Sequence, residues 1–208
     1  MVMTEAGLHK AESETKSRPP ALAGLARGAA RADGACLPDR PAPQEREFGL
    51  RIARDGTWFY RGSAIQRKEL VCLFASVLRR EADGSYWLET PVERGRIQVD
   101  DAPFVAVELF WRDCEGRQCL TFRTNLDEMV TADWDHPIRV QLDPKTREPR
   151  PYITIRAGLE ARIGRAVFYE LVALAQQERV DGRDVIGVWS EGAFFPIDEV
   201  PALDAAAE

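Results

Sequence analysis

Histidine is nearly missing from this chain, with His9 and His136 the only two in 208 residues. Neither stands at ligand-like spacing from a second donor, so a histidine-built metal centre is not expected. Cysteine is sparse as well, at positions 36, 72, 114 and 119. Cys114 and Cys119 flank Glu115-Gly116-Arg117-Gln118 and can face each other across a hairpin; separate reduced thiols are the expectation and a redox pair the alternative. No apolar run approaches the roughly 20 residues of a membrane-spanning helix. The N-terminus lacks the basic-then-apolar order of a secretory signal, and a cytoplasmic location is expected. Basic residues are outnumbered, 28 against 34 acidic, for a net charge of −6. That argues against broad binding of a nucleic-acid backbone, although a local arginine cluster remains open. There is no Gly-x-Gly-x-x-Gly, no Walker-type loop and no His-Glu-x-x-His. No cofactor is therefore expected, and no specific reaction class is supported.

Residues 1–45 are rich in Ala, Gly, Pro and Arg without sustained periodicity, and are expected to form a disordered leader. Order should begin near Phe48. Arg51–Ala53 and Thr57–Tyr60 read as strands joined at Asp55-Gly56, a strong turn signal. Ser63-Ala64-Ile65-Gln66 fits a capping box. The helix after it would place Leu70, Leu73, Phe74, Val77 and Leu78 on one face and stop at Asp83-Gly84. Tyr86–Thr90 reads as a strand, Pro91–Arg96 as a loop and Ile97–Val99 as another strand. Phe104–Trp111 and Gln118–Arg123 form the clearest hairpin. Asn125–Val130 fits a loop or a strand, and Ile138–Leu142 and Tyr152–Arg156 are strands. From Leu159 to about Gln177 the spacing predicts a second helix, with Ile163, Val167, Leu171 and Leu174 sharing a face. Asp181-Gly182 then introduces strands at Val185–Trp189 and Ala193–Ile197, and residues 201–208 should fray.

Asp83-Gly84 and Asp181-Gly182 lie 98 residues apart, and each follows a helical pattern and precedes a strand. The expected class is α+β, built from two related strand-helix-hairpin units by internal duplication. The subdomains would be residues 46–101 and 102–200.

Asp55-Gly56-Thr57-Trp58-Phe59-Tyr60-Arg61-Gly62 and Trp87-Leu88-Glu89-Thr90-Pro91-Val92-Glu93 resemble the bacterial domain-of-unknown-function 1285 family. So do Asp101-Ala102-Pro103-Phe104 and Phe122-Arg123-Thr124-Asn125, and the resemblance spans residues 48–199. It implies a duplicated α+β core whose C-terminal part is pleckstrin-homology-like, with a ligand site, nucleotide-like in character, where the two parts meet. It implies no activity.

Arg123, Asn125 and Asp127 alternate along one side of a strand end. An arginine fork beside an amide and a carboxylate can hold a phosphate-bearing or hydroxyl-rich ligand; a solvated strand face making turn hydrogen bonds is the plainer reading. Trp58 and Tyr60 can stack on a planar ring or serve the core. Thr90 and Glu93 flank Pro91 in a loop that suits either binding or a structural turn. Arg156, Arg162 and Arg165 form a basic stripe at the start of the second helix, from which the junction site could draw one member; an ordinary solvated helix face is the plainer reading. The leading expectation is a cytoplasmic sensory module for a small anionic ligand, acting in signal transduction. Its rivals are an adaptor that holds a protein partner and, behind both, an enzyme using His136 with Asp133 or Asp135.

Overall fold

Two short helices and fifteen strands make up residues 44–199, the part of the chain that the structure, a computed structural model, describes. The expected leader lies outside the described residues except for Gln44 and Glu45, which open the first strand, and the expected frayed tail lies wholly outside them.

Strand β1 (Gln44–Ile52) turns at Asp55-Gly56 into β2 (Trp58–Tyr60), which turns at Arg61-Gly62 into β3 (Ser63–Ala64). Helix α1 (Lys68–Ser76) follows, then β4 (Leu78–Arg80), β5 (Tyr86–Glu89) and β6 (Glu93–Val99). These strands form one sheet in the order β3-β2-β1-β6-β5-β4, in which β1 and β6 are the parallel pair. Next come β7 (Phe104–Cys114), β8 (Arg117–Thr124), β9 (Met129–Thr131), β10 (Ile138–Leu142), β11 (Pro149–Arg156) and β12 (Leu159–Ile163). They form a second sheet in the order β10-β11-β12-β7-β8-β9, with β12 and β7 parallel. Helix α2 (Arg165–Ala173) leads into an antiparallel meander of β13 (Gln176–Val180), β14 (Arg183–Ser190) and β15 (Ala193–Glu199). The class is α+β, dominated by strands.

One apolar cluster joins the elements. The first sheet supplies Ile52, Trp58, Leu78 and Leu88, the second Phe104, Leu120, Phe122 and Ile153, and the meander Val188 and Phe195. Each such side chain contributes roughly 1.5–3 kcal/mol on burial.

The hairpins fall where the turn residues place them, whereas the helices are shorter than the spacing suggests. No side chain caps α1; Ser63 and Ala64 pair with Tyr60 and Phe59 instead, so the expected capping box is a strand. The helix ends at Ser76, not at Asp83-Gly84. Leu78 pairs with Leu88 across β4 and β5, and this cross-strand pairing removes the last expected turns of the helix. Its buried residues are Val71 and Ala75, while Leu73 is 61% exposed. Glu93–Arg96, expected in a loop, opens β6. Residues 159–163, expected in a helix, form β12, and Gln176–Val180 is a strand rather than helix end. Leu159, Ala161 and Ile163 are buried in alternation, the period of a strand rather than a helix. The order helix, strand, Asp-Gly, strand nevertheless occurs twice, as α1-β4-β5 and as α2-β13-β14.

Gly56 has φ of +84°, and a Cβ built there would lie 2.6 Å from Asn125 Nδ2 and 3.1 Å from Val105 Cγ2. Gly56→Ala is therefore expected to cost about 1–3 kcal/mol, read from the urea midpoint. Gly62→Ala, also at positive φ but with nothing within 4 Å of its added Cβ, should cost less.

Candidate functional site

Arg123 sits near the end of β8, opposite Glu108 on β7. Its Nε donates to Glu108 Oε2 at 2.8 Å and its Nη2 to Glu108 Oε1 at 2.5 Å. Nη1 donates to Asp127 Oδ1 at 2.7 Å, and the other oxygen of Asp127 accepts from Lys68 Nζ at 2.5 Å. Glu108 first, then Asp127, raises the arginine pKa above its ordinary value. The fork expected to face a phosphate is thus held by two of the chain's own carboxylates.

Asn125 spans two sheets. Its Oδ1 accepts from the Val105 backbone N–H at 3.0 Å and its Nδ2 donates to Gly56 O at 3.4 Å. Trp58 is 1% exposed and its ring stacks on Phe74, with centroids 6.1 Å apart. It occupies the core and leaves no ring face for a ligand. Tyr60, two residues on, is 46% exposed with the Arg61 guanidinium 5.2 Å from its ring centre. Tyr60, Thr90 and Glu93 line an apolar cleft of about 680 Å³ together with Phe48, Leu70 and Phe74. Within it the Thr90 hydroxyl donates to Glu93 O and accepts from Glu93 N–H, and Glu93 pairs with Arg46 at 3.1 Å.

Arg156 shares no bonding partner with these residues. Its Nη2 donates to Ala75 O at 2.5 Å, at the carbonyl end of α1 where a cation is favoured. Nη1 reaches Glu128 at 3.3 Å, and the guanidinium lies over the Phe104 ring. His136 Nδ1 is 2.9 Å from Asp133 Oδ1, which also accepts the backbone N–H of Asp135 and His136. That geometry is a capped loop.

A second cleft, of about 430 Å³, holds what the sequence reading grouped only in part. Arg54, Arg150, Arg162 and Arg165 line it with Glu148, Phe168 and Tyr169. Beside it Asp101 accepts from Tyr152 Oη at 2.7 Å and pairs with Arg54 at 3.2 Å and Arg162 at 3.7 Å. Arg162 Nη2 also donates to Arg54 O at 3.2 Å, and Arg150 pairs with Asp143. Arg165 differs from these: its Nε donates to Tyr169 Oη at 3.0 Å, and among the described residues no carboxylate lies at ion-pair distance from it, although the charge of Glu148 in the cleft lining acts on it. Arg162 and Arg165 belonged to the expected basic stripe. Arg54 carried only one local signal, its place beside the Asp55-Gly56 turn, and Phe168 read as helix core.

Residues 40–102 match the family described as a domain of unknown function (DUF1285), N-terminal domain, and residues 103–197 match a protein of unknown function (DUF1285), C-terminal domain. These matches define a class of two-part α+β proteins without an assigned activity. The chain belongs to the DUF1285 family. A DUF1285 family protein of known structure from Silicibacter pomeroyi DSS-3 is 45% identical, with 76% of this chain and 85% of that one covered at a TM-score of 0.69. Another from Shewanella baltica OS155 is 30% identical over 60% of this chain and 90% of that one, with a TM-score of 0.48. No curated protein matches the chain.

The Arg123 cluster gives a pH prediction. The Arg123 hydrogen bond lowers the Glu108 pKa, and bonds from Lys68 and then Arg123 lower that of Asp127. A carboxyl depressed on folding stabilises fully above its unfolded pKa, and that contribution is lost as pH falls through the folded value. Urea midpoints should therefore fall as pH drops from about 6 towards about 3, and in Arg123→Ala this decline should be shallower. A parallel decline in both proteins would remove the cluster from the acid response.

Proposed function

We propose that the chain is a binding module for a small anionic ligand, nucleotide-like in character, seated in the cleft of Arg54, Arg150, Arg162 and Arg165. The carrying observation is four arginines around one cleft whose lining has a single carboxylate, in a chain with net charge −6. Guanidinium groups suit phosphate through paired N–H donors, and Phe168 and Tyr169 offer ring edges or faces to a planar group. Arg54 belongs to the part matched by the N-terminal family domain and the other arginines to the C-terminal one, so a ligand there would touch both. That arrangement supports a sensory role in signal transduction, in which occupancy alters how the two parts are held. We also read α1-β4-β5 and α2-β13-β14 as copies of one ancestral unit; what supports this is their shared order around two Asp-Gly turns 98 residues apart.

Titration of the full chain with nucleoside mono- and diphosphates and inorganic pyrophosphate, followed by thermal shift and calorimetry, tests the reading. One compound class should stabilise the protein in a dose-dependent way. Arg165→Gln removes a charge-assisted donor and should weaken that binding by roughly 10- to 100-fold, whereas Arg123→Ala should leave it unchanged. A flat response from folded protein would overturn the proposal.

A further inference from the structure

The β7–β8 hairpin ends in a small set of soft and hard donors, none of which lines the arginine cleft. Cys114 pairs with Arg117, and Arg112 with Cys119, so the two cysteines sit diagonally across the hairpin end. The two sulfurs are joined as a disulfide, the alternative to the separate thiols expected from the sequence, and reduction would part them into two neighbouring thiols. The β14–β15 turn is fastened against them. Gln118 Nε2 donates to Trp189 O at 2.8 Å, Glu191 N–H to Gln118 O at 2.9 Å, and Leu120 N–H to Ser190 Oγ at 2.9 Å. Ser190 Oγ in turn donates to Ala132 O at 2.6 Å. Glu191, held at φ of +48°, thereby sets its Oε1 2.9 Å from Cys119 Sγ.

One donor atom from each of Cys114, Cys119 and Glu191 lies within 4.8 Å of the other two. Cys119 is 1% exposed, and Glu191 forms no ion pair among the described residues, although Arg117 lies beside the neighbouring Gly192. Once deprotonated, two thiolates beside a carboxylate offer three anionic donor atoms to one cation, and thiolate donors choose its kind. Magnesium and calcium favour all-oxygen sites, whereas two thiolates and one carboxylate suit zinc, with a fourth position for water or another donor.

We propose that Cys114, Cys119 and Glu191 form a Zn²⁺ site in the reduced protein, fastening the hairpin end to the β14–β15 turn. The test uses the full chain with Cys36→Ser and Cys72→Ser, so that the pair supplies the only thiols. It is kept reduced with a phosphine and titrated with Zn²⁺ against a chromophoric chelator, and with Co²⁺ for its thiolate charge-transfer band. Expected are one metal per chain, a raised melting temperature on loading, loss of the charge-transfer band in Cys114→Ser, and about tenfold or weaker binding in Glu191→Gln. Each variant is first shown to be folded by circular dichroism. Failure of the reduced protein to retain Zn²⁺, or wild-type affinity in folded Cys114→Ser, would overturn the site and leave a plain thiol pair. Wild-type affinity in Glu191→Gln would overturn its place among the ligands.

Discussion

Asp101 is the interaction on which the arrangement of the two larger sheets depends. It lies in the connection between β6 and β7, where the first sheet's chain passes to the second, and its side chain is only 12% exposed. A carboxylate so far from water must be paired or it destabilises the fold. Tyr152 on β11, Arg162 on β12 and Arg54 beyond the end of β1 supply the partners. Burial first, and the bond to Asp101 next, push the Tyr152 phenol up to about 12. The phenol therefore remains a donor throughout the neutral range. One carboxylate so fixes three segments, and in doing so sets two arginines beside the cleft before any ligand arrives. Such preorganisation spares a ligand part of the ordering cost.

The remaining arginines divide by what they face. Arg139 forms a two-pronged pair with Glu160, at 2.5 and 2.6 Å, and lies over the Tyr152 ring. Arg51 on β1 pairs with Asp100 just past the end of β6, and Arg123 on β8 with Glu108 on the neighbouring β7. Exposed pairs of this kind contribute little energy singly, so their effect is on strand alignment more than on stability. In an acidic chain most guanidinium groups find such partners. Arg165, bonded to a phenol, is one of several described arginines without a carboxylate at ion-pair distance, and among the four that line the cleft it is the one so placed.

The hairpins were legible because their turns are local. Asp55-Gly56, Glu115-Gly116 and Asp181-Gly182 announce themselves within four residues, and all three have a glycine at positive φ. Both helices were legible but their ends were not, because two periods coexist in the same residues. Leu159, Ile163 and Val167 recur at helical spacing, yet Leu159, Ala161 and Ile163 also alternate. Pairing of β12 with β11 and β7 decides between them, and that information lies in other parts of the chain. The candidate site shows the same limit. Arg123, Asn125 and Asp127 read as one side of a strand, yet β8 stops at Thr124, Asn125 bonds Val105 and Gly56, and the partners of Arg123 and Asp127 could not be read. Glu108 is 15 residues from Arg123, and Lys68 is 59 from Asp127.

The β7–β8 hairpin is the member through which the separate pieces are held. Asn125, just beyond its inner end, clips Gly56 of the first sheet, and Gln118 to Leu120 near its outer end bind the β14–β15 turn. Its two strands differ accordingly. Cys119, Leu120, Thr121 and Phe122 are consecutive and all buried, so β8 is covered on both faces. By contrast β7 meets β12 only over Phe104–Ala106, and Val107 onward runs as a sheet edge. An unpaired edge invites other strands, and charge opposes that pairing. Glu108, Arg112 and Asp113 supply it on this stretch. The hairpin can carry an open edge because its other strand is fastened at both ends.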